Sequence, residues 1–177
     1  MLESIVLAAV TALIVVYVIT AVAHIVTQVP YVGTPRKIVD SMVRLAGFRG
    51  DETVVDIGAG DGRVLVAAKK HFPGIRAIGY ENALGIWLYG KLKIFLSGAK
   101  VHFRFRNALK DDLSVADVIF LYLGPDMMRK LEPIFDRVLR PGTRVVSHAF
   151  TFPTKQPVRE EKIPWGRRTK RVLLYEW

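Results

Sequence analysis

The 177-residue chain has no cysteine, which excludes disulfides, thiolate metal sites and a cysteine nucleophile. Charge is missing from its beginning, where Glu3 is the only charged residue before Gln28. Internal repeats and low-complexity tracts are also lacking, so solenoid and fibrous architectures drop out. What remains is an apolar run followed by a stretch of ordinary globular composition, long enough for one domain with a substantial core.

The apolar run, Ile5 to Val26, is interrupted only by Thr11, Tyr17, Thr20 and His24. As a helix it would span ~33 Å, enough to cross a hydrocarbon core of ~30 Å. Ala21-Val22-Ala23 resembles a small-residue cleavage site, so a signal peptide is the alternative. Against it stand the missing basic n-region, the length of the run, and the flanks, with Glu3 before and Arg36 and Lys37 after. We therefore expect residues 1–27 to form a single-pass membrane anchor. Residues 28–177 should form a domain on the cytoplasmic, or equivalent inner, side. The formal net charge of the chain is +10, and with Glu3 the only charge before Gln28 that domain alone carries +11. This charge would draw the domain to anionic headgroups at ~1 kcal/mol per nearby Lys or Arg. A nucleic-acid surface is the rival reading. The basic residues are scattered apart from Arg167, Arg168, Lys170 and Arg171, so charge alone does not decide.

After the linker at Gln28 to Gly33, Thr34-Pro35 predicts an N-cap followed by proline at the first helical position. Ile38, Met42 and Leu45 recur at helical spacing, and Gly47 is a C-terminal stop. Strands are predicted at Thr53 to Ile57, Arg76 to Tyr80, Val101 to Arg106, Asp117 to Tyr122 and Thr143 to His148. Helical patterns fall at Arg63 to His71, Ala83 to Leu96 and Asp126 to Leu139. This alternation implies an α/β fold with a mostly parallel sheet and right-handed crossovers. Gln156 to Ile163 and Arg171 to Glu176, around Pro164-Trp165-Gly166, read as a closing antiparallel hairpin.

The chemistry concentrates in Val54-Val55-Asp56-Ile57-Gly58-Ala59-Gly60-Asp61-Gly62-Arg63. An apolar strand ends in an acid and passes through a glycine-rich turn into a helix, so backbone can approach a ligand where side chains would collide. A dinucleotide fingerprint would place its third glycine one residue later. The observed spacing, with Asp56 ahead of it, is similar to motif I of class I S-adenosylmethionine (SAM) methyltransferases, whose Rossmann-like fold it implies. The cofactor's ammonium can pair with an acid. Glu81, at the end of the second strand and ~20 residues after the turn, is placed to accept from both ribose hydroxyls. At the end of the third strand Asn107, followed by Ala108, stands where such enzymes carry an adenine-binding acid, and its amide oxygen can still accept. Asp111 and Asp112 read as a solvated loop pair. The NPPY-like tetrapeptide of base-amine methyltransferases is absent after the fourth strand, and without cysteine carbon-5 cytosine methylation is excluded. Nucleic acid is not an expected partner, nor is a metal.

A closer resemblance rests on Val29-Pro30-Tyr31-Val32-Gly33-Thr34-Pro35, on Asp56 to Arg63, on Leu123-Gly124-Pro125-Asp126-Met127-Met128 and on His148-Ala149-Phe150-Thr151-Phe152-Pro153. Together these resemble one protein-lysine methyltransferase family, the mitochondrial lysine methyltransferases of the ADP/ATP carrier and the ATP synthase c-subunit with their archaeal relatives. The resemblance covers nearly the whole domain and, in the mitochondrial members, the membrane segment. Gly33, where relatives usually have proline or serine, and Asn107 depart from the pattern. It implies SAM as cofactor, held by Tyr31, Thr34, Asp56, Gly58, Gly60, Asp61, Gly62, Glu81, Asn107 and Ala108. It also implies a protein substrate with an accessible lysine at the lipid bilayer. Phe150, Phe152 and Trp165 could line an acceptor channel, but each reads first as a packing residue. Tyr122 and His148, at two adjacent strand ends, are the candidates for orienting the amine. A lipid or quinone-type methyltransferase, or a SAM-binding membrane module without turnover, remain the alternatives.

Overall fold

The computed structural model describes residues 2–27 and 32–177. The N-terminal apolar run is one helix, α1 (Leu2–Thr27). Its stretch Glu3–Ala21 is long and apolar enough to cross a membrane, and none of it is buried. Thr11 and Thr20 donate their hydroxyls to the carbonyls of Leu7 and Val16, 2.9 and 2.8 Å away. Both side chains thus turn their polar atoms back onto their own helix.

The remaining elements alternate as the hydrophobic pattern predicts: α2 (Arg36–Leu45), β1 (Thr53–Ile57), α3 (Arg63–His71), β2 (Arg76–Glu81), α4 (Leu84–Ser97), β3 (Val101–Phe105), β4 (Val118–Leu121), α5 (Pro125–Val138) and β5 (Arg144–His148). The closing hairpin is β6 (Arg159–Trp165) and β7 (Arg168–Glu176). The sheet order is β3-β2-β1-β4-β5-β7-β6. β1 to β5 run parallel, and β7 inserts antiparallel between β5 and β6. This is the class I methyltransferase arrangement, with a topological switch point between β1 and β4.

Two apolar layers sandwich the sheet. Ile38, Met42, Leu65 and Ala68 of α2 and α3 pack with Val54, Val118 and Phe120 on one face. Met128, Leu131 and Phe135 of α5 pack with Val55, Ile119, Leu121 and Tyr175 on the other. These central strands are buried on both faces, which is why they read as continuous apolar runs. Below the sheet, Glu52 ties the first strand to the fifth. It accepts from the amides of Arg49 and Gly50 at 2.7 and 2.8 Å and pairs with Arg144 at 2.7 Å. Burial opposes its ionisation, but the Arg144 guanidinium and the two amides outweigh that and bring its pKa down to about 2.

Two local expectations fail: the hairpin turns at Gly166-Arg167, with Pro164 and Trp165 paired inside β6 to Thr169 and Arg168, and the cap of α2 shifts. Pro35, not Thr34, occupies the N-cap of α2, and no side chain caps that helix. The Thr34 backbone is engaged elsewhere, its carbonyl accepting from Arg63 Nη1 at 2.9 Å, so the chain enters the helix one residue later.

Candidate functional site

A cavity of about 360 Å³ opens where β1, β2 and β4 end, lined among others by Thr34, Asp56, Gly58, Glu81, Asn107 and Tyr122. Its floor is the glycine turn. Gly58, Gly60 and Gly62 all adopt left-handed backbone, with φ of 72°, 58° and 74°, a conformation costly to residues bearing a Cβ. The amides of Gly58 and Ala59 donate to the Tyr80 carbonyl at 3.0 and 2.8 Å, tying the turn to β2. A Cβ on Gly62 would also stand 2.7 Å from Ile94, so this glycine serves helix packing as well.

Three carboxylates converge here, in different environments. Glu81, at the end of β2, accepts from Gly60 N at 3.0 Å through one oxygen, and from Asn82 N and Ala83 N at 2.8 and 2.9 Å through the other. These bonds fix its rotamer while leaving lone pairs for ligand hydroxyls. Asp61 is 1% exposed and is neutralised on the spot: Arg63 reaches both of its oxygens at 2.7 Å and Lys93 reaches one at 2.6 Å. Burial alone would raise its pKa, but the two cations bring it down to about 2. Asp56, 4% exposed, has an oxygen, Oδ2, with no hydrogen-bond partner. Burial first, then the negative charges of Glu81 and Asp61, push its pKa up to about 8. A buried acid in that state is suited to receive a cation, which would supply the missing partner.

Across the cavity, Tyr122 lies on His148, ring centroids 4.0 Å apart, and stacks on Phe150 at 6.1 Å. Tyr122 lines the cavity, whereas His148 is 1% exposed and lies behind it. Burial, with a smaller contribution from Lys170, lowers the His148 pKa to about 4, so the imidazole is neutral at physiological pH. Its Nδ1 has no hydrogen-bond partner. The turn that brings Phe150 over Tyr122 is strained. Ala149 has φ of 71°, and Phe150 N donates to His148 O at 2.9 Å, closing a three-residue turn of a kind that costs ~1–3 kcal/mol and concentrates at functional sites.

The other sequence candidates separate. Tyr31 lies outside the described residues. Thr34, Gly60, Asp61 and Ala108 line the cavity; Gly62 lies beneath it and shapes the turn. Asn107 is at the rim, its amide oxygen already accepting from Leu109 N at 3.0 Å. Phe152 belongs to the core, edge-on to Tyr175 and Trp177. Trp165 lies out on the hairpin under Lys170, so neither lines the acceptor side. Asp111 is not a solvated loop residue. It accepts from Tyr80 Oη at 2.9 Å and pairs with Arg104 and Arg106 at 2.6 and 2.8 Å, bracing β3 against β2. Asp112 does stay local, accepting from Ser114 N. Sequence reasoning missed Arg63 and Lys93. Arg63 directly follows the last motif glycine and grips Asp61 two residues before it, a local contact, whereas its bond to the Thr34 carbonyl and the approach of Lys93 to Asp61 are tertiary.

Comparison with known proteins agrees with this geometry. A model of the ANTKMT methyltransferase domain matches residues 56–159. The chain is 34% identical over 153 residues to a protein-lysine N-methyltransferase of Saccharolobus islandicus, covering 85% of this chain and 94% of that one. It is 36% identical to the adenine nucleotide translocase lysine N-methyltransferase of Mus musculus, covering 84% of this chain but 63% of the relative. For the mouse lysine N-methyltransferase of the ATP synthase c-subunit the figures are 32% identity, 72% and 51%. Among solved structures, an RNA methyltransferase from Salinibacter ruber in complex with S-adenosyl-L-homocysteine superposes with a TM-score of 0.74 at 32% identity, covering 82% of this chain and 93% of that one.

Proposed function

The chain belongs to the ANTKMT methyltransferase family and uses SAM; from that premise we propose that it transfers methyl groups to lysine side-chain amines of a protein held at a membrane. The observation that carries the cofactor assignment is the unpartnered, buried Asp56 oxygen beside the positive-φ glycine turn. Asp56 would hold the ammonium of the cofactor's methionine end, Glu81 its ribose hydroxyls, and Asn107 with Ala108 its adenine. Bound SAM supplies a methyl group on a sulfonium, open to in-line displacement by an amine. The chain's own contribution is orientation at ~3–3.5 Å and the exclusion of water. An acceptor lysine enters with a pKa of ~10.4 and must lose its proton before attack; desolvation beside Tyr122 and Phe150 favours the neutral amine. Tyr122 faces the amine, and the neutral His148 holds the Tyr122 ring in place from behind.

The domain division supports the choice of substrate. Residues 1–27 would anchor the chain in the bilayer and residues 28–177 would act beside it, on the side to which Arg36 and Lys37 are retained. The archaeal relative and both mouse relatives carry lysine methyltransferase names. Transfer to RNA is a second reading, favoured by the Salinibacter relative and by the formal net charge of +10. Incubation with methyl-labelled SAM and membranes from a strain lacking the gene, followed by separation into protein, lipid and RNA, tests the proposal. Label is expected in protein as methyllysine on mass spectrometry, and label confined to RNA or lipid would overturn it. Binding of SAM without transfer into any fraction would leave a non-catalytic module.

A further inference from the structure

Helix α4 is apolar on two opposite faces. Ile86, Gly90 and Ile94 face the domain and are buried. The opposite stripe carries Leu88, Leu92, Phe95 and Leu96, which are 41, 55, 80 and 73% exposed, with Tyr89 at 52% beside them. α2 and α5 do not do this, since their outward faces are charged. A helix apolar all round is either buried in protein or in contact with lipid, and among the described residues α1 meets this face at its Gly85 end while Leu92, Phe95 and Leu96 stay exposed. An exposed apolar patch of this extent marks an interaction surface.

The stripe is continuous with the candidate membrane helix. Gly85 lies on the same side of α4 as Leu88, Leu92 and Leu96 by helical periodicity. Its amide donates to Thr20 Oγ1 of α1 at 3.0 Å, and a Cβ there would stand 2.1 Å from that oxygen. Thr20 lies at the end of the stretch long enough to span a bilayer, so α4 starts where that stretch ends. At 100° per residue, Lys91 falls on one flank of the stripe, while Lys93, on the other, is turned in to Asp61 at 2.6 Å and leaves that flank to Tyr89. Lys91 lies 4.8 Å over the Trp87 ring and Lys93 5.5 Å over that of Tyr89. An apolar face bordered by a lysine, Lys91, and two amphipathic rings, Trp87 and Tyr89, is the composition of a helix lying in the headgroup region. Exposed Phe105 of β3, next to Trp87 at 5.6 Å, extends the patch to the sheet edge.

We propose that the outer face of α4, centred on Leu92 and Phe95, lies in the membrane interface as a second contact between the catalytic domain and the bilayer. The proposal rests on α1 being the membrane anchor. A tether alone leaves the domain free to rotate, whereas two contacts fix its orientation. Ala83 and Ile86, at the start of the same helix, line the cofactor cavity, so docking α4 holds the cavity mouth near the headgroup plane, within reach of a lysine emerging from a membrane protein.

The absence of cysteine makes the test clean. Single-cysteine variants Leu92→Cys, Phe95→Cys, Leu13→Cys in α1 and Lys130→Cys in α5 would be spin-labelled in the full chain and reconstituted in phosphatidylcholine–phosphatidylglycerol vesicles. Collision rates with oxygen, which partitions into lipid, and with a nickel chelate, which stays in water, would then be compared. Oxygen accessibility several-fold above nickel accessibility is expected at positions 13, 92 and 95, with the reverse at 130. Lipid at 13 with water at both 92 and 95 would overturn the proposal while leaving the anchor standing; water at all of 13, 92 and 95 would overturn both. Spin–spin broadening at 92 or 95 that disappears on dilution with unlabelled protein would assign the stripe to a second copy, and also overturn the proposal. Retained SAM-induced stabilisation of each labelled variant shows that its fold is intact.

Discussion

Asp56→Asn should make the cofactor-free protein more stable near neutral pH and at the same time impair cofactor binding. In the folded chain the Asp56 pKa is raised from 3.8 to about 8, so folding favours the protonated acid. That contribution is fully present below the unfolded value and is lost as pH rises through 8. At pH 7 the gap to the unfolded value is roughly three units, which at ~1.36 kcal/mol each is up to about 4 kcal/mol. The residue is 4% exposed, so solvent screening does little to reduce this. Asparagine keeps the shape and never ionises. For a domain of this size ~1 kcal/mol moves Tm by about 2–4 °C, so the variant should melt roughly 10 °C higher at pH 7. The advantage should shrink towards pH 4 and level off above pH 8. Saturating SAM at ~100 Kd should add about 2.7 kcal/mol to wild type. The same concentration should add far less to the variant, which loses a charge-assisted bond of ~1.5–3 kcal/mol to the ammonium. Thermal melts across pH 4 to 9, with and without SAM, read both effects. A variant less stable than wild type throughout, or a difference that does not change with pH, would refute the reasoning from burial, and unchanged SAM stabilisation would refute the assignment of the ammonium site.

Arg144→Ala leaves Glu52 buried without its cation and should destabilise the domain by about 3 kcal/mol at pH 7 in urea unfolding. Because the Glu52 pKa is lowered to about 2, the loss should fade as pH falls from 4.5 towards 2. Arg63→Ala frees Asp61 from one of its two cations and releases the Thr34 carbonyl. It should raise the KM for SAM at least tenfold with a smaller change in kcat, measured by steady-state methyl transfer. Tyr122→Ala opens the packing on His148 and Phe150 and should lower kcat by about 10². Tyr122→Phe keeps that packing and isolates the hydroxyl, and equal losses in both variants would assign the effect to the hydroxyl rather than to ring packing.

The parts of the fold with strong periodicity were legible in advance. β1 and α3 begin and end at the predicted residues, because an apolar strand, three glycines and a helix leave little freedom at the junctions. Edges set by tertiary contact were less legible. Thr34 has the chemistry of an N-cap but lies one residue outside the helix, its carbonyl held by Arg63. Asp111 resembles a solvated loop acid until β2 and β3 pair and bring Tyr80, Arg104 and Arg106 around it. Phe150 and Phe152, two residues apart, go to different places, one over Tyr122 and the other into the core with Tyr175.

The cofactor turn and its three acids are consequences of local sequence. Positive φ at Gly58, Gly60 and Gly62 requires residues without a Cβ, and a βαβ crossover fixes the distance from that turn to Glu81 whatever the rest of the chain does. The condition of those acids was decided by tertiary structure alone. Asp56, Asp61 and Glu81 are the same kind of group in sequence, yet burial and neighbouring charge push Asp56 up to about 8 and bring Asp61 down to about 2. The outward apolar face of α4 is likewise invisible in one dimension, because an apolar helix looks the same whether its second face is covered by protein or meets lipid, and only packing shows which face is left over.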